Sequence, residues 1–119
     1  MNGLAGGILI LIVVLIAHLF EEVRTGFRKQ FPLGEMPLPG FVGINIGLNI
    51  FCLATLLLAA QEHPLAIPFA WLFGGGMFLN GFGHLAIVIY RHQYFPGGIT
   101  ALPLLLAAGY LLFVLSFRS

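Results

Sequence analysis

Four apolar stretches, each long enough to cross a bilayer, constrain this chain more than any other feature. A spanning helix needs about 20 mostly apolar residues. Such stretches run roughly over Gly3 to Glu22, Phe41 to Ala60, Leu65 to Tyr90 and Ile99 to Phe117. Charged residues make up only 8% of the 119 and hydrophobic residues 60%, whereas a soluble domain carries about 25% charged residues. Mean hydropathy is +1.05. The expected fold is therefore an all-α membrane protein, a single four-helix transmembrane bundle over residues 1–119. A net charge of +1 supplies no basic field, and no nucleic-acid partner is expected. Cys52 is the single cysteine, so no internal disulfide can form, and it reads as a small apolar residue. The first stretch lacks a basic start and a small-x-small cleavage site and is longer than a signal peptide's apolar region. It is expected to be a retained helix.

The connections set an expected topology. The segment from Arg24 to Gly40 carries Arg24, Arg28 and Lys29, together with Pro32, Gly34, Pro37, Pro39 and Gly40, and its second half reads as a loop. Gln61 to Pro64 carries no Lys or Arg, while the third connection holds Arg91 and the turn signal Pro96-Gly97-Gly98. The positive-inside rule places the first and third connections in the cytoplasm and both termini outside; Arg118 weighs against this. Gln30-Phe31-Pro32-Leu33-Gly34 is echoed by Gln93-Tyr94-Phe95-Pro96-Gly97, as two related helical hairpins would produce.

Polar side chains collect at one depth. His18, Glu21 and Glu22 end the first helix, Asn45 and Asn49 lie near the start of the second, Asn80 and His84 lie in the inner half of the third, and Thr100 begins the fourth. Ionisable groups are costly within a membrane, so a cluster of them marks a functional site by default. At 100° per residue, Glu21 and Glu22 both flank His18 on one face. His84 and His92 share a side if the third helix continues that far. Polar stripes from four helices can close around a small cavity in a bundle core.

Imidazole and carboxylate are the usual ligands of zinc and non-haem iron. His18, Glu22 and His84 can supply a two-histidine, one-carboxylate set, with His92 as a third nitrogen. One divalent metal is expected, zinc ahead of iron, because a di-metal site would need more carboxylates unless Glu35 folded in. Glu21 is then the candidate general base, and Asn80 or Asn49 the donor to a developing oxyanion. The expected function is a metal-dependent, hydrolase-type enzyme acting on an apolar small-molecule or lipid substrate that arrives from the membrane. Iron would suit an oxidative variant instead.

The run His18-x-x-Glu21-Glu22, with Asn80-x-x-x-His84 and Tyr94-x-Pro96-Gly97-x-x-Thr100, resembles the HXXEE family of small bacterial and archaeal integral membrane proteins. The resemblance covers nearly the whole chain. It implies a prokaryotic inner (plasma) membrane and a metal-dependent or otherwise catalytic protein. It also implies importance for His18, Glu21, Glu22, Asn80, His84, Pro96, Gly97 and Thr100, and supplies no activity. CAAX-type membrane proteases use similar ingredients, Glu-Glu-x-x-x-Arg followed by Phe-x-x-x-His. Here Gly26 stands where that arginine would be and Asn80 where that phenylalanine would be, so the pattern fails twice.

Plainer readings compete. The glutamates can face water beside Arg24 or Arg28, and His84 can simply bond Asn80 or a carbonyl between helices. His92 can meet lipid headgroups beside Arg91, and His63 can serve only its turn. Asn45 and Asn49 can be interhelical donors, and Trp71 and the phenylalanines packing or interfacial anchors. Gly74-Gly75-Gly76 allows close helix approach and lacks the lysine of a phosphate loop. Two other functions stay open. A proton or metal-ion transport component would use the same buried groups as a relay. A non-catalytic accessory protein, or a homo-oligomer built on Gly-rich contacts, would use them as a structural knot.

Overall fold

The computed structural model describes residues 2–117; Arg118, which weighs against the expected topology, lies outside them. Four helices follow one another, α1 (Gly3–Thr25), α2 (Leu38–Ala60), α3 (Ala66–Arg91) and α4 (Gly98–Ser116), with a 3-10 turn at Phe27–Lys29. All four are long and apolar enough to cross a membrane. At 1.5 Å per residue the 23 residues of α1 reach about 35 Å, enough for a hydrocarbon core of about 30 Å. The protein is thus an all-α, four-helix membrane protein.

Helix ends differ from the expected ones where local chemistry decides them. α1 runs past Glu22 to Thr25, and Gly26 then adopts a left-handed conformation (φ 78°) and caps the helix by donating its N–H to the Glu22 carbonyl. α2 starts at Leu38 instead of Phe41 because Pro39 sits in its first turn, where a missing amide proton costs no hydrogen bond. α3 stops at Arg91 because His92 turns left-handed (φ 54°). At the opposite end of the bundle the Asn2 side chain accepts from the Ala5 amide and donates to the Ala59 carbonyl, tying α1 to α2.

The core lies among α1, α3 and α4. Leu4, Ile8, Leu11 and Leu15 repeat along one face of α1 and are buried, as are Ala70, Phe73 and Met77 on α3 and Leu104, Ala108, Leu111 and Leu115 on α4. α4 packs most extensively against α3 and next against α1. Gly81 lets α3 and α4 approach closely, since a Cβ there would lie 2.9 Å from the Ala101 carbonyl oxygen. α2 is the loosest member. It buries only Phe41, Cys52, Thr55 and Ala59 and exposes Ile44, Ile46, Ile50, Leu53 and Leu57, as suits a helix with lipid on most sides. The two echoed segments have different surroundings: Pro32 and Gly34 are exposed, while Phe95, Pro96 and Gly97 are buried.

Candidate metal centre

The end of α1 meets α3 and the start of α4, and three elements far apart in sequence converge there. His18 is completely buried on the face of α1 that continues the Leu4–Leu15 stripe. Glu22 lies one turn later and 8% exposed; His84, from α3, is 5% exposed. Glu22 Oε2 lies 3.5 Å from His18 Nε2 and 3.2 Å from His84 Nε2. The ligand atoms of these three residues all fall within 4.8 Å of one another. The two imidazoles meet edge to face with centroids 4.6 Å apart. Phe27 and Phe95 pack against His84, with centroids at 5.2 and 5.6 Å, and keep water from its ring.

The outer nitrogens of both rings are committed. His84 Nδ1 lies 2.9 Å from the Pro96 carbonyl, which can only accept, so Nδ1 carries the proton. His18 Nδ1 lies 2.7 Å from the Thr100 hydroxyl. That hydroxyl gives its only proton to Glu21 Oε1 at 2.6 Å, so it must accept from His18. Each ring in its neutral form therefore has its lone pair on Nε2. Both lone pairs and Glu22 Oε2 meet at one buried point, and His18 Nε2 has no hydrogen-bond partner among the described residues. Three acceptors facing each other in an apolar interior need a cation, either a proton or a metal ion. A tetrahedral ion with bonds of about 2.0–2.1 Å separates its ligand atoms by roughly 3.3 Å. The two measured edges to Glu22 Oε2 bracket that separation.

Glu21 faces elsewhere. Its Oε1 accepts from the Thr100 amide at 2.8 Å and the Thr100 hydroxyl, and its Oε2 accepts from the Ile99 amide at 3.0 Å and the Tyr94 phenol. These amides are orphan donors in the first turn of α4, and a carboxylate is favoured there by the helix dipole. Glu21 thus caps a helix on which it does not reside and pins α4 to α1. Four donors occupy its oxygens, so the expected general-base role gives way to a clasp. Burial, and the Glu21 carboxylate it donates to, push the Tyr94 phenol above its ordinary pKa. It stays a donor across the neutral range.

Gly97 closes the centre. Its φ of +90° and its approach to both rings exclude a side chain: a Cβ would lie 2.5 Å from His84 Cε1 and 2.9 Å from His18 Cε1. Pro96 aims a carbonyl, Gly97 makes room, and Thr100 links His18 to Glu21. Of the second-half residues, Tyr94, Gly97 and Thr100 thus act on the first-helix motif, and Pro96 acts on His84 of α3.

Other expected residues lie apart. His92 is exposed; it terminates α3, so no continuing helix turns it toward His84, and the cluster has two imidazoles, without the expected third nitrogen. Asn80 is half-buried one turn before His84, and among the described residues no hydrogen bond ties it to the cluster. Asn45 and Asn49 donate to the Phe41 and Asn45 carbonyls of their own helix. Glu35 is exposed and pairs with Arg28 at 3.8 Å. His63 accepts from the Leu65 amide in its turn. Sequence spacing missed the cleft beside Glu22, about 570 Å³ in volume, whose walls include Arg24, Arg28, Lys29, Leu38 and Phe41.

The fold and cluster define a small four-helix membrane protein with a buried two-histidine, one-glutamate centre. The sequence matches the HXXEE family, described as proteins of unknown function with an HXXEE motif, over residues 9–112, and the chain belongs to that family. No curated protein and no solved structure matches the chain.

Proposed function

We propose that this chain is a metal-dependent membrane enzyme, hydrolase-type, that holds one divalent cation, zinc ahead of iron, on His18 Nε2, His84 Nε2 and Glu22 Oε2. One observation carries the reading: both Nδ1 atoms are engaged as donors, which turns both Nε2 lone pairs onto the Glu22 carboxylate. Metal-ligating histidines ordinarily donate their other N–H to a carbonyl or to a group backed by a carboxylate. Here Pro96 O serves His84, and Thr100 backed by Glu21 serves His18. Two imidazoles and one carboxylate leave coordination positions open, which is the arrangement of catalytic and not of closed structural sites. The ion would supply a Lewis acid. Glu22, which lines the cleft, is where a substrate would meet it. The polar groups sit at one end of the bundle, which favours a one-sided site over a transmembrane pathway. By the positive-inside rule, the basic residues of the first connection favour a cytoplasmic position for this end, with the termini outside.

The test is metal content and affinity of detergent-purified protein after dialysis against zinc or ferrous iron. The reading predicts about one ion per chain in the wild type and loss of it in His18→Ala, Glu22→Gln and His84→Ala. A folded wild type that retains no ion would overturn it. Esterase and amidase assays on the loaded protein follow.

A further inference from the structure

The cleft at Glu22 adjoins a second depression, and the two differ in chemistry. The cleft is bordered by Arg24, Arg28 and Lys29. The neighbouring groove, about 370 Å³, runs along α1 and α2 past Leu19, Ile46, Ile50 and Leu53. Val23, Phe41 and Val42 line both, so the two adjoin along these side chains. Arg28 is steadied by Glu35 and by the Met36 carbonyl. Among the described residues Arg24 and Lys29 form no ion pair, and both are exposed. The groove exists because α2 packs loosely on α1, and its far wall is the face of α2 that buries little.

We propose that this composite site receives an anionic lipid with its headgroup in the basic cleft above Glu22 and one acyl chain along the α1–α2 groove. Charge complementarity selects the occupant. Arg24 and Lys29, without ion pairs among the described residues, and the Glu35-paired Arg28 attract an anionic headgroup and give no preference to a zwitterionic one. The groove, whose Asn45 and Asn49 donate their amides to carbonyls of α2 itself, accepts a chain at little cost in polar desolvation. The placement puts the headgroup beside Glu22 and the junction of headgroup and chain at Val23, Phe41 and Val42. The inference rests on the metal-centre reading for what becomes of the lipid there, and it names that centre's substrate class.

The experiment is native mass spectrometry of the full chain, zinc-loaded, in a neutral detergent. The probes are lysophosphatidic acid, lysophosphatidylcholine of the same chain length, and inorganic phosphate. The phosphomonoester lipid should bind about tenfold or more tighter than the choline lipid, and inorganic phosphate far more weakly than either. The triple variant Arg24→Gln/Arg28→Gln/Lys29→Gln should erase the preference between the two lipids. Ile46→Trp, which fills the groove, should weaken both. Equal binding of the two lipids by wild type, or a preference that survives the triple variant, would overturn the proposal. So would phosphate binding as tight as the lipid and untouched by Ile46→Trp, which would mark a site for a free anion. Zinc is counted in the same samples. Lipid selectivity without retained zinc sinks the metal centre and leaves the lipid site standing; retained zinc without selectivity sinks the lipid site alone.

Discussion

Glu21 and Glu22 are neighbours in sequence and opposites in surroundings. Glu21 faces four donors, two of them backbone amides of α4, and its charge is satisfied by hydrogen bonds. Glu22 faces two imidazole nitrogens that carry lone pairs and a cleft open to ligands. The same side chain is a hydrogen-bonded clasp at one position and, in the proposed metal centre, a ligand at the next. The hydroxyl of Thr100 couples the two, accepting from His18 and donating to Glu21.

This contrast breaks most visibly in exchanged substitutions. Glu22→Gln keeps shape and should leave the fold intact, with a change in stability below about 1 kcal/mol, while divalent-ion affinity falls by more than ~100-fold, beyond the loss typical for a supporting residue. Dialysis followed by elemental analysis reads this. Glu21→Ala should do the reverse first: it strands two amides and two hydroxyls and costs about 2–3 kcal/mol, measured as a drop in the unfolding midpoint in mixed micelles. Equal effects from both variants on both readouts would erase the distinction between clasp and ligand.

Gly97→Ala drives a methyl into both rings and occupies a φ of +90°. It should cost about 1–3 kcal/mol and lower metal affinity as well, because the rings must move. Thr100→Val removes the hydroxyl that links His18 to Glu21; metal affinity should fall by about 10–100-fold with a smaller loss of stability. The smallest effect concerns pH. The Tyr94 phenol has a raised pKa in the folded chain, so its bond to Glu21 stabilises fully below the unfolded value of about 10. That contribution is lost as pH rises through the folded value. A melt series at alkaline pH should show this loss in wild type and not in Tyr94→Phe, whereas His92→Ala should change nothing at any pH.

Much of this was legible from hydropathy alone, because four apolar runs of bilayer length admit few folds. The polar layer was legible too, and with it His18, Glu22 and His84. What spacing could not resolve is which glutamate joins the histidines. Positions three and four after His18 flank it equally on an isolated helix, and the choice is made by the amides at the start of α4, about 80 residues away in sequence. His92 was drawn toward the cluster by an assumed helix that its own left-handed backbone ends. Asn45 and Asn49 lie in the first half of α2, yet their side chains return to their own helix, a local bond that competes with any interhelical one. Leu38 to Gly40 read as loop because proline breaks helices, but Pro39 in the first turn starts one, with Pro37 outside it as the cap.

X-ray absorption at the zinc edge of the loaded, full-length protein tests the central claim most directly. The account predicts two imidazole nitrogens and at least one oxygen at about 2.0–2.1 Å, with one imidazole lost in His84→Ala and the oxygen shell altered in Glu22→Gln. A shell of oxygens without imidazole, or a spectrum unchanged in those variants, would contradict it.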